Sequence, residues 1–167
     1  MNKKVRNIAI SGLIGAMYVA LCYLQNLLLP GSASWAIQFR VAEALCVLAF
    51  FTPAAISGLA VGCLLFNVSF AGALPLDFLV GTLASFLAAW GMWQTRRLTV
   101  KGYPLLGMLL PALCNGLLIG WELSVYVGGG FWLNGLYVAI GEIAVLLSLG
   151  TALFYALKAH RVRLFGE

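Results

Sequence analysis

The chain has 167 residues, of which 63% are hydrophobic and only 9% are charged, and its mean hydropathy is +1.01. A soluble domain of this length is usually nearer half apolar and a quarter charged. The composition therefore excludes an ordinary water-soluble domain and indicates an integral membrane protein built from helices. The net charge of +5 does not indicate nucleic-acid binding, because nine of the ten basic residues lie in three clusters that flank apolar segments. The clusters are Lys3, Lys4 and Arg6; Arg96, Arg97 and Lys101; and Lys158, Arg161 and Arg163.

The three basic clusters predict the topology, since Lys and Arg favour cytoplasmic loops. An even number of crossings then separates each pair of clusters. At about 20 residues per crossing, four crossings fit between the first and second clusters, and two fit between the second and third. We therefore expect an all-α bundle of six transmembrane helices, with both termini cytoplasmic, in a single membrane domain over residues 1–167.

Proline and glycine residues mark the expected ends of the helices. The expected helices span about residues 7–29, 38–51, 54–70, 75–95, 103–121 and 132–157. The first contains 22 uncharged residues from Ile8 to Leu29, more than the roughly 7–15 of a signal-peptide core, so we expect it to be retained. The second, at a 1.5 Å rise, would be roughly 21 Å long, short of the roughly 30 Å hydrocarbon core. We expect it either to be buried in the bundle or to form a re-entrant hairpin with the third.

Sequence patterns of catalytic and metal sites are absent. The cysteines Cys22, Cys46, Cys63 and Cys114 form no close pair and lie in apolar runs, which is typical of small hydrophobic residues in helices. His160 stands alone among basic residues, so no metal site is predicted. None of the four lysines is followed by Ser or Thr, so the chain has no P-loop. We expect no catalysis, no metal and no cofactor in this chain.

Polar side chains within the expected bundle collect toward its outer end, whereas the inner half carries little beyond Ser, Thr and Gly. They are Arg40, Glu43, Asn67, Asp77, Asn115, Glu122, Asn134 and Glu142. Charged groups in a bilayer normally face a bundle interior or a wet cavity. The one-sided clustering therefore predicts a pocket that is open to the outside and closed below, since a channel would need polar lining through both leaflets.

Several of these residues also have a purely structural interpretation. Arg40 and Glu43 are three positions apart and could neutralise each other on one helix face. The asparagines could form interhelical hydrogen bonds, and Glu122 could be solvated at the membrane interface. Asp77 and Glu142 have no basic residue nearby in the sequence, which favours a functional role for both.

Two further features have two interpretations each. Trp35 and Trp121 are candidates for a lid that stacks on a flat ligand, although outer-loop aromatic residues usually form an interfacial belt. In the first helix, Gly12, Ala16 and Ala20 form a stripe of small residues spaced by four. Such a stripe suits close packing either within the chain or against a partner protein.

Two runs of sequence carry a family resemblance. They are QFRVAEALCVLAFFTPAAISGLAVGCLLFN, residues 38–67, and LPLDFLVGTLASFLAA, residues 74–89. They contain the patterns R-x-x-E-A-L, F-T-P-A-A-I-x-G-L and D-x-x-x-G-T-L. Together these runs resemble the QueT family, the substrate-binding S-components of energy-coupling-factor (ECF) transporters that are linked to queuosine precursors. The resemblance covers most of the chain and agrees with a six-helix S-component fold.

The resemblance implies a subunit of an ABC-type importer in a bacterial plasma membrane, which captures a queuosine precursor, a 7-deazaguanine base, from outside. A transmembrane coupling protein of the EcfT type and two ATPase subunits that use ATP would supply the energy. S-components dock the coupling protein through an A-x-x-x-A stripe on helix 1, which Ala16 and Ala20 match. The docking residues are expected to be Gly12, Ala16 and Ala20. The expected substrate-binding residues are Arg40, Glu43, Asn67, Asp77, Asn115, Trp121, Glu122, Asn134 and Glu142.

Other functions remain open on the sequence alone. The carboxylates outnumber Arg40. This surplus favours a ligand rich in hydrogen-bond donors, such as a cationic one. The chain could be an S-component for another flat vitamin such as riboflavin or thiamin. It could also be a stand-alone ion-coupled carrier that uses Asp77 or Glu142, or a scaffold without a ligand.

Overall fold

The structure is a computed structural model that describes residues 2–32 and 37–160. In these ranges the chain forms an all-helical bundle without a strand. Six α-helices and two helical segments of other types follow one another along it. They are α1 Lys3–Leu28, a 3₁₀ helix Val41–Phe50, α2 Ala54–Ser69, α3 Asp77–Thr95, α4 Leu105–Tyr126, α5 Phe131–Val145, a π-helical turn Leu146–Gly150 and α6 Thr151–Ala159. The last three form one continuous helix.

Three helices of the described ranges are long and apolar enough to cross a membrane. They are Lys3–Leu28, Leu105–Tyr126 and the continuous helix Phe131–Ala159. This finding agrees with the membrane protein that the composition indicates. The number of six crossings, the cytoplasmic position of both termini and the single domain stay predictions.

The 3₁₀ helix Val41–Phe50 lies at the centre of the bundle and touches all the other helices. Its residues from Ala42 to Phe50 are all buried. Ten residues at about 2.0 Å per residue span roughly 20 Å, too short for a 30 Å hydrocarbon core. Of the two arrangements expected for this segment, the structure therefore shows burial within the bundle. The predicted α-helix over 38–51 was wrong in type, and also in its start, because residues 38–40 lie outside any helix.

Helices α1 and α2 run parallel at close range. The Ser11 hydroxyl donates to the Ala54 carbonyl at 2.8 Å toward their N-terminal ends, and Tyr23 bonds Ser69 at 2.8 Å toward their C-terminal ends. Glycine allows the close approach: a Cβ on Gly62 would lie 2.9 Å from the Gly15 carbonyl oxygen. This packing uses a different face of α1 from the stripe of small residues.

The stripe Gly12, Ala16 and Ala20 is exposed on the side of α1 that faces away from the other helices. The face of α1 that packs against the bundle carries Ile14 and the residues near it instead. A Cβ on Gly12 would meet nothing within 4 Å. The structure thus removes the interpretation that this stripe serves packing within the described chain.

The loop between α3 and α4 is a tight turn. Val100 and Tyr103 exchange both backbone hydrogen bonds, at 2.9 and 3.0 Å, and Lys101 and Gly102 both have positive φ, 51° and 79°. Lys158 at the end of α6 donates to the Gly102 carbonyl at 3.1 Å. The second basic cluster and the described part of the third therefore lie at the same end of the bundle, as the topology prediction requires.

An apolar core fills the inner half of the bundle. It includes Leu45 and Phe50 of the 3₁₀ helix, Met92 of α3, Met108 of α4 and Phe154 of α6. The rings of Phe50 and Phe154 meet edge to face at 5.9 Å. This core forms the floor under the polar groups of the outer half.

Candidate functional site

Polar residues from five elements converge in one half of the bundle, the half predicted to face outward, and we call them the polar cluster. Arg40 directly precedes the 3₁₀ helix and Glu43 lies on it, Asn67 is near the end of α2, Asp77 begins α3, Asn115 and Glu122 lie on α4, and Glu142 lies on α5. Seven of the nine predicted binding residues are therefore brought together. Residues this far apart in sequence meet because antiparallel neighbours α2–α3, α3–α4 and α4–α5 bring their outer ends to the same level.

A cavity opens beside the cluster, between α1, α2 and the start of α3. Its polar lining is Tyr18, Gln25, Asn26, Arg40, Asn67 and Asp77. Phe66 and Phe70 form its apolar wall, with stacked rings whose centroids are 5.1 Å apart. The cavity measures about 60 Å³, whereas ligand pockets usually measure about 300–1,000 Å³. A bicyclic base would therefore need the wall to move outward.

Glu43 is fully buried and satisfied by two side chains. Its Oε1 accepts a hydrogen bond from the Tyr18 hydroxyl at 2.8 Å, and its Oε2 accepts one from the Cys46 thiol at 3.2 Å. Arg40 forms no ion pair with a carboxylate among the described residues, and its guanidinium donates to Gln38 at 3.4 Å. The neutralising pair Arg40–Glu43 is therefore not formed. The reason is that Arg40 has extended backbone angles and stands outside the helix that carries Glu43.

Asp77 fixes the loop that leads into α3. Its Oδ2 accepts the amide of Leu74, three residues earlier in that loop, at 2.6 Å. The Asn67 side chain donates to the Asp77 carbonyl oxygen at 2.8 Å and to the Cys63 sulfur at 3.4 Å. The bond from Asn67 to the Asp77 carbonyl joins α2 to α3 at the rim of the cavity.

Glu122 and Glu142 are both fully buried, at 0% exposure. Asn115 donates to Glu142 Oε1 at 3.2 Å. Glu142 Oε2 and both carboxyl oxygens of Glu122 have no hydrogen-bond partner within the described ranges.

The solvated interfacial position considered for Glu122 was wrong. Helix α4 continues to Tyr126, five residues beyond its expected end at 121. Glu122 therefore lies inside the last turns of the helix and on its buried face. The side chain faces the polar cluster, not the membrane surface.

Asn134 and Trp121 are the two predicted residues that the structure does not bring to the cluster. Asn134 donates to the Gly128 carbonyl at 2.7 Å and so fastens the outer loop whose three glycines, 128–130, have φ of 88°, 85° and 82°. Trp121 is 47% exposed, because successive residues on a helix point about 100° apart and Glu122 takes the inward direction. Trp35 lies outside the described residues.

Gln25 and its neighbour Asn26 were not predicted for the site. Gln25 is buried, its side-chain nitrogen donates to Ser32 at 2.8 Å and to the Phe39 carbonyl, and its oxygen accepts the Val41 amide at 2.8 Å. Gln25 thereby ties α1 to the segment that positions Arg40. The signal was present in the sequence, because two adjacent amides interrupt the apolar run from Ile8 to Leu29. Tyr18 and the two phenylalanines of the wall carried no comparable signal.

The fold and the polar cluster can now be compared with known proteins. A model of the QueT transporter family matches residues 8–159, which is most of the chain. The chain belongs to the QueT transporter family. It is therefore a transport protein of the membrane and not an enzyme, and the resemblance of the runs 38–67 and 74–89 to QueT is confirmed. Neither a curated protein nor a solved structure matches the chain.

In a transport protein, the carboxylates of the polar cluster could hold either a metal ion or a transported molecule. The described residues contain no group of three or more His, Cys, Asp or Glu side chains that could hold a metal ion. A transported small molecule is the ligand that the sequence analysis assigns to the carboxylates of the cluster. Their role in binding it stays a prediction from the sequence.

Proposed function

We propose that this QueT protein is the substrate-binding S-component of an ECF-type ABC importer and that it captures a queuosine precursor, a 7-deazaguanine base, from the outer side of a bacterial plasma membrane. The observation that carries this proposal is the convergence of seven polar residues from five elements above an apolar floor. A binding pocket needs polar groups on one side and closure on the other. A channel would need a polar path through the inner half, where Phe50, Met92, Met108 and Phe154 pack together.

The groups around the cavity suit the edge of a guanine-like base. Such a base offers an N–H and an amino group, which one carboxylate can accept as a pair. Its carbonyl oxygen is an acceptor and would be served by Arg40, whose guanidinium is not paired with a carboxylate among the described residues. Aromatic rings gain from offset stacking, and the rings of Phe66 and Phe70 supply faces at the cavity wall.

The energy for transport would come from partner subunits. The chain has no P-loop, so ATP would be used by two ATPase subunits joined through an EcfT-type coupling protein. The exposed stripe Gly12, Ala16 and Ala20 supports docking of that protein, because small residues let a second helix approach closely. On the same helix, Tyr18 faces the cavity. Helix α1 therefore has one face toward the ligand and one toward the partner.

Calorimetric titration of the purified chain in detergent tests the substrate. The ligands are queuine and the 7-aminomethyl and 7-cyano forms of 7-deazaguanine, with guanine, riboflavin and thiamin for comparison. We expect submicromolar binding of at least one deazaguanine and none of the two vitamins. Binding of riboflavin or thiamin alone would keep the S-component and replace its substrate.

Substitution of Asp77 tests the site. We expect Asp77→Asn to weaken binding of the preferred base at least tenfold, about 1.4 kcal/mol, because the amide cannot accept the paired donors of the base. The matched control is Asn134→Ala, a polar residue of the same outer end that lies outside the cluster. Equal isotherms for Asp77→Asn and the parent would remove Asp77 from the site.

A stand-alone ion-coupled carrier is the second candidate. The observation in its favour is the set of buried carboxyl oxygens without a partner on Glu122 and Glu142, within the described ranges, since buried acids often serve as proton sites in carriers. Uptake into cells is the discriminating measurement. An S-component loses uptake when the partner ATPases are deleted, whereas an ion-coupled carrier keeps it.

A further inference from the structure

The end of the bundle that is predicted to be cytoplasmic carries positive charge without a counter-charge. Arg96, Arg97 and Lys101 lie between α3 and α4, and Lys158 lies near the end of α6. The four acidic residues that the structure describes all belong to the polar cluster. The 19 residues of α3, roughly 28 Å at 1.5 Å per residue, separate Asp77 from this loop. The cations therefore have no acidic partner in the described part of the chain.

The fold brings two of these cations, Lys101 and Lys158, to adjacent places. Lys158 Nζ donates to the Gly102 carbonyl at 3.1 Å, although 56 positions separate the two residues in the sequence. Lys101 precedes Gly102 at the tip of the tight turn, and it is the one residue other than glycine with positive φ within the described ranges. Two like charges held near each other repel unless an anion lies between them.

The remaining basic residues of the loop differ in how far the protein already uses them. The guanidinium of Arg96 lies 3.6 Å from the centre of the Trp93 ring and donates to the Trp93 carbonyl. Arg97 and Lys101 are exposed, and their side chains form no hydrogen bond or ion pair within residues 2–32 and 37–160. Charged donors of this kind form strong hydrogen bonds with phosphate oxygens.

Apolar side chains alternate with these cations along the same loop. Leu98 and Val100 are 58% and 63% exposed. Beside them, Tyr155 of α6 is half exposed and stacks on Tyr103, with ring centroids 6.2 Å apart. Tyrosine and tryptophan are enriched where a membrane meets water. The surface therefore combines phosphate-binding cations with apolar groups at the level of lipid headgroups, a combination that suits a phospholipid better than a soluble anion.

We propose that the α3–α4 turn and the end of α6 form a binding site for an anionic phospholipid, which we call the lipid site. The phosphate lies between Lys101 and Lys158, Arg97 contacts the headgroup, and Leu98 and Val100 lie beside the acyl chains. A zwitterionic headgroup carries its own cation, which opposes the two lysines, so the site selects anionic lipids. The site is separate from the polar cluster and does not depend on which substrate the protein carries.

Thermal unfolding of the full chain in detergent tests the lipid site. The probes are dioctanoylphosphatidylglycerol, which is anionic, and dioctanoylphosphatidylcholine, which is zwitterionic. At about ten times the Kd we expect the anionic lipid to raise the Tm by about 3–5 °C, and the zwitterionic lipid by less than about 1 °C. Glycerol phosphate, which lacks acyl chains, is expected to leave the Tm unchanged.

The double variant Lys101→Gln/Lys158→Gln is expected to lose more than about half of the rise, measured from its own Tm without lipid. Lys101→Gln alone keeps the bond from Lys158 to Gly102 and is the second variant, in case the double variant fails to fold. The matched control is Lys3→Gln/Lys4→Gln, which removes two charges from exposed positions at the start of α1 and is expected to keep the parental rise.

Three results would overturn the proposal. Equal rises with the two lipids, or none with either, would exclude selection of an anionic lipid. Equal losses in the two double variants would indicate attraction by the total charge and not by a site at Lys101 and Lys158. A rise with glycerol phosphate as large as that with the anionic lipid would replace the lipid by a soluble phosphate. None of these results would affect the proposed substrate, which the titration of deazaguanines tests separately.

Discussion

The bond between Tyr18 and Glu43 is the best-defined polar contact of the site. It joins α1 to the buried 3₁₀ helix, and the hydroxyl donates to a fully buried carboxylate at 2.8 Å. Because Tyr18 also lines the cavity, this contact connects the pocket with the helix that carries the exposed stripe. Hydrogen bonds to charged groups contribute more than neutral ones, about 1.5–3 kcal/mol.

We expect Tyr18→Phe to lower stability by about 1–3 kcal/mol, because it leaves a buried carboxylate oxygen without its donor. Thermal unfolding of the purified protein in detergent measures the change. Tyr23→Phe is the matched control: it removes a hydroxyl of the same helix that bonds Ser69 at the same distance, but at an exposed position. We expect the control to change stability by less than about 0.5 kcal/mol. Equal shifts in the two variants would mean that the Glu43 contact has no special weight.

Individual residues of the cluster could be predicted because polar groups in a bilayer normally face the bundle interior or a wet cavity, where other polar groups lie. Arg40, Asp77 and Glu142 stood out in the sequence because they are charged residues within otherwise apolar segments. Their side-chain directions could not be predicted in the same way. Asn134 and Trp121 lie at the correct depth, yet one bonds a loop carbonyl and the other faces outward, since rotation about a helix axis depends on packing that a single sequence does not show.

At the scale of elements, the contact between α1 and α2 depends on glycine. Gly15 on α1 faces Gly58 and Gly62 on α2, and the backbones approach so closely that an added Cβ has no room. Close approach of this kind lets helices gain packing and dispersion energy in a membrane, where lipid removes the usual hydrophobic drive.

We expect Gly62→Ala to force the two helices apart and to lower stability by about 1–3 kcal/mol. Its Cβ would lie 2.9 Å from both the Gly15 carbonyl oxygen and Tyr18 Cβ. Gly12→Ala is the control, because a Cβ there meets nothing within 4 Å. Alanine at that position is expected to leave stability unchanged or to raise it by up to about 1 kcal/mol. A melting temperature for Gly62→Ala at or above that of the parent would contradict the packing described.

The bounds of most helices were predictable, and the exceptions have physical causes. Helix α2 ends at Ser69 and α3 at Thr95, close to the expected 70 and 95, because loop residues mark these ends. Helix α4 was expected to stop at 121, but it continues to Tyr126, and Glu122 is buried within it. The 3₁₀ winding of Val41–Phe50 had no signal, since its residues are equally compatible with an α-helix.

At the scale of the whole molecule, the proposed binding and docking surfaces lie on opposite faces of α1. Tyr18 faces inward to the cavity, and the stripe of Gly12, Ala16 and Ala20 faces outward. A change on the outward face can therefore alter partner binding without touching the pocket. This separation makes the proposed docking surface testable by itself.

We expect Ala16→Trp to abolish the complex with the coupling protein and the ATPases while ligand affinity stays within about twofold of the parent. A large ring in the stripe prevents the close approach of a second helix. Co-purification with co-expressed partner subunits measures the first effect, and calorimetry the second. The control is Ala152→Trp, which places the same ring on an exposed position of α6 and is expected to keep the complex. Loss of the complex in both variants would show that added bulk anywhere on the surface is harmful.

The 3₁₀ winding of Val41–Phe50 decides which side chains of this buried segment share one face. Three residues complete one turn of a 3₁₀ helix, so Glu43, Cys46 and Ala49 stand in one column, and the Cys46 thiol reaches the carboxylate directly above it. Winding the same ten residues as an α-helix would rotate each step of three by about 60° and shorten the segment by roughly 5 Å. The contact between Glu43 and Cys46, and with it the direction of the Glu43 carboxylate toward Tyr18, therefore depends on the 3₁₀ winding of this segment.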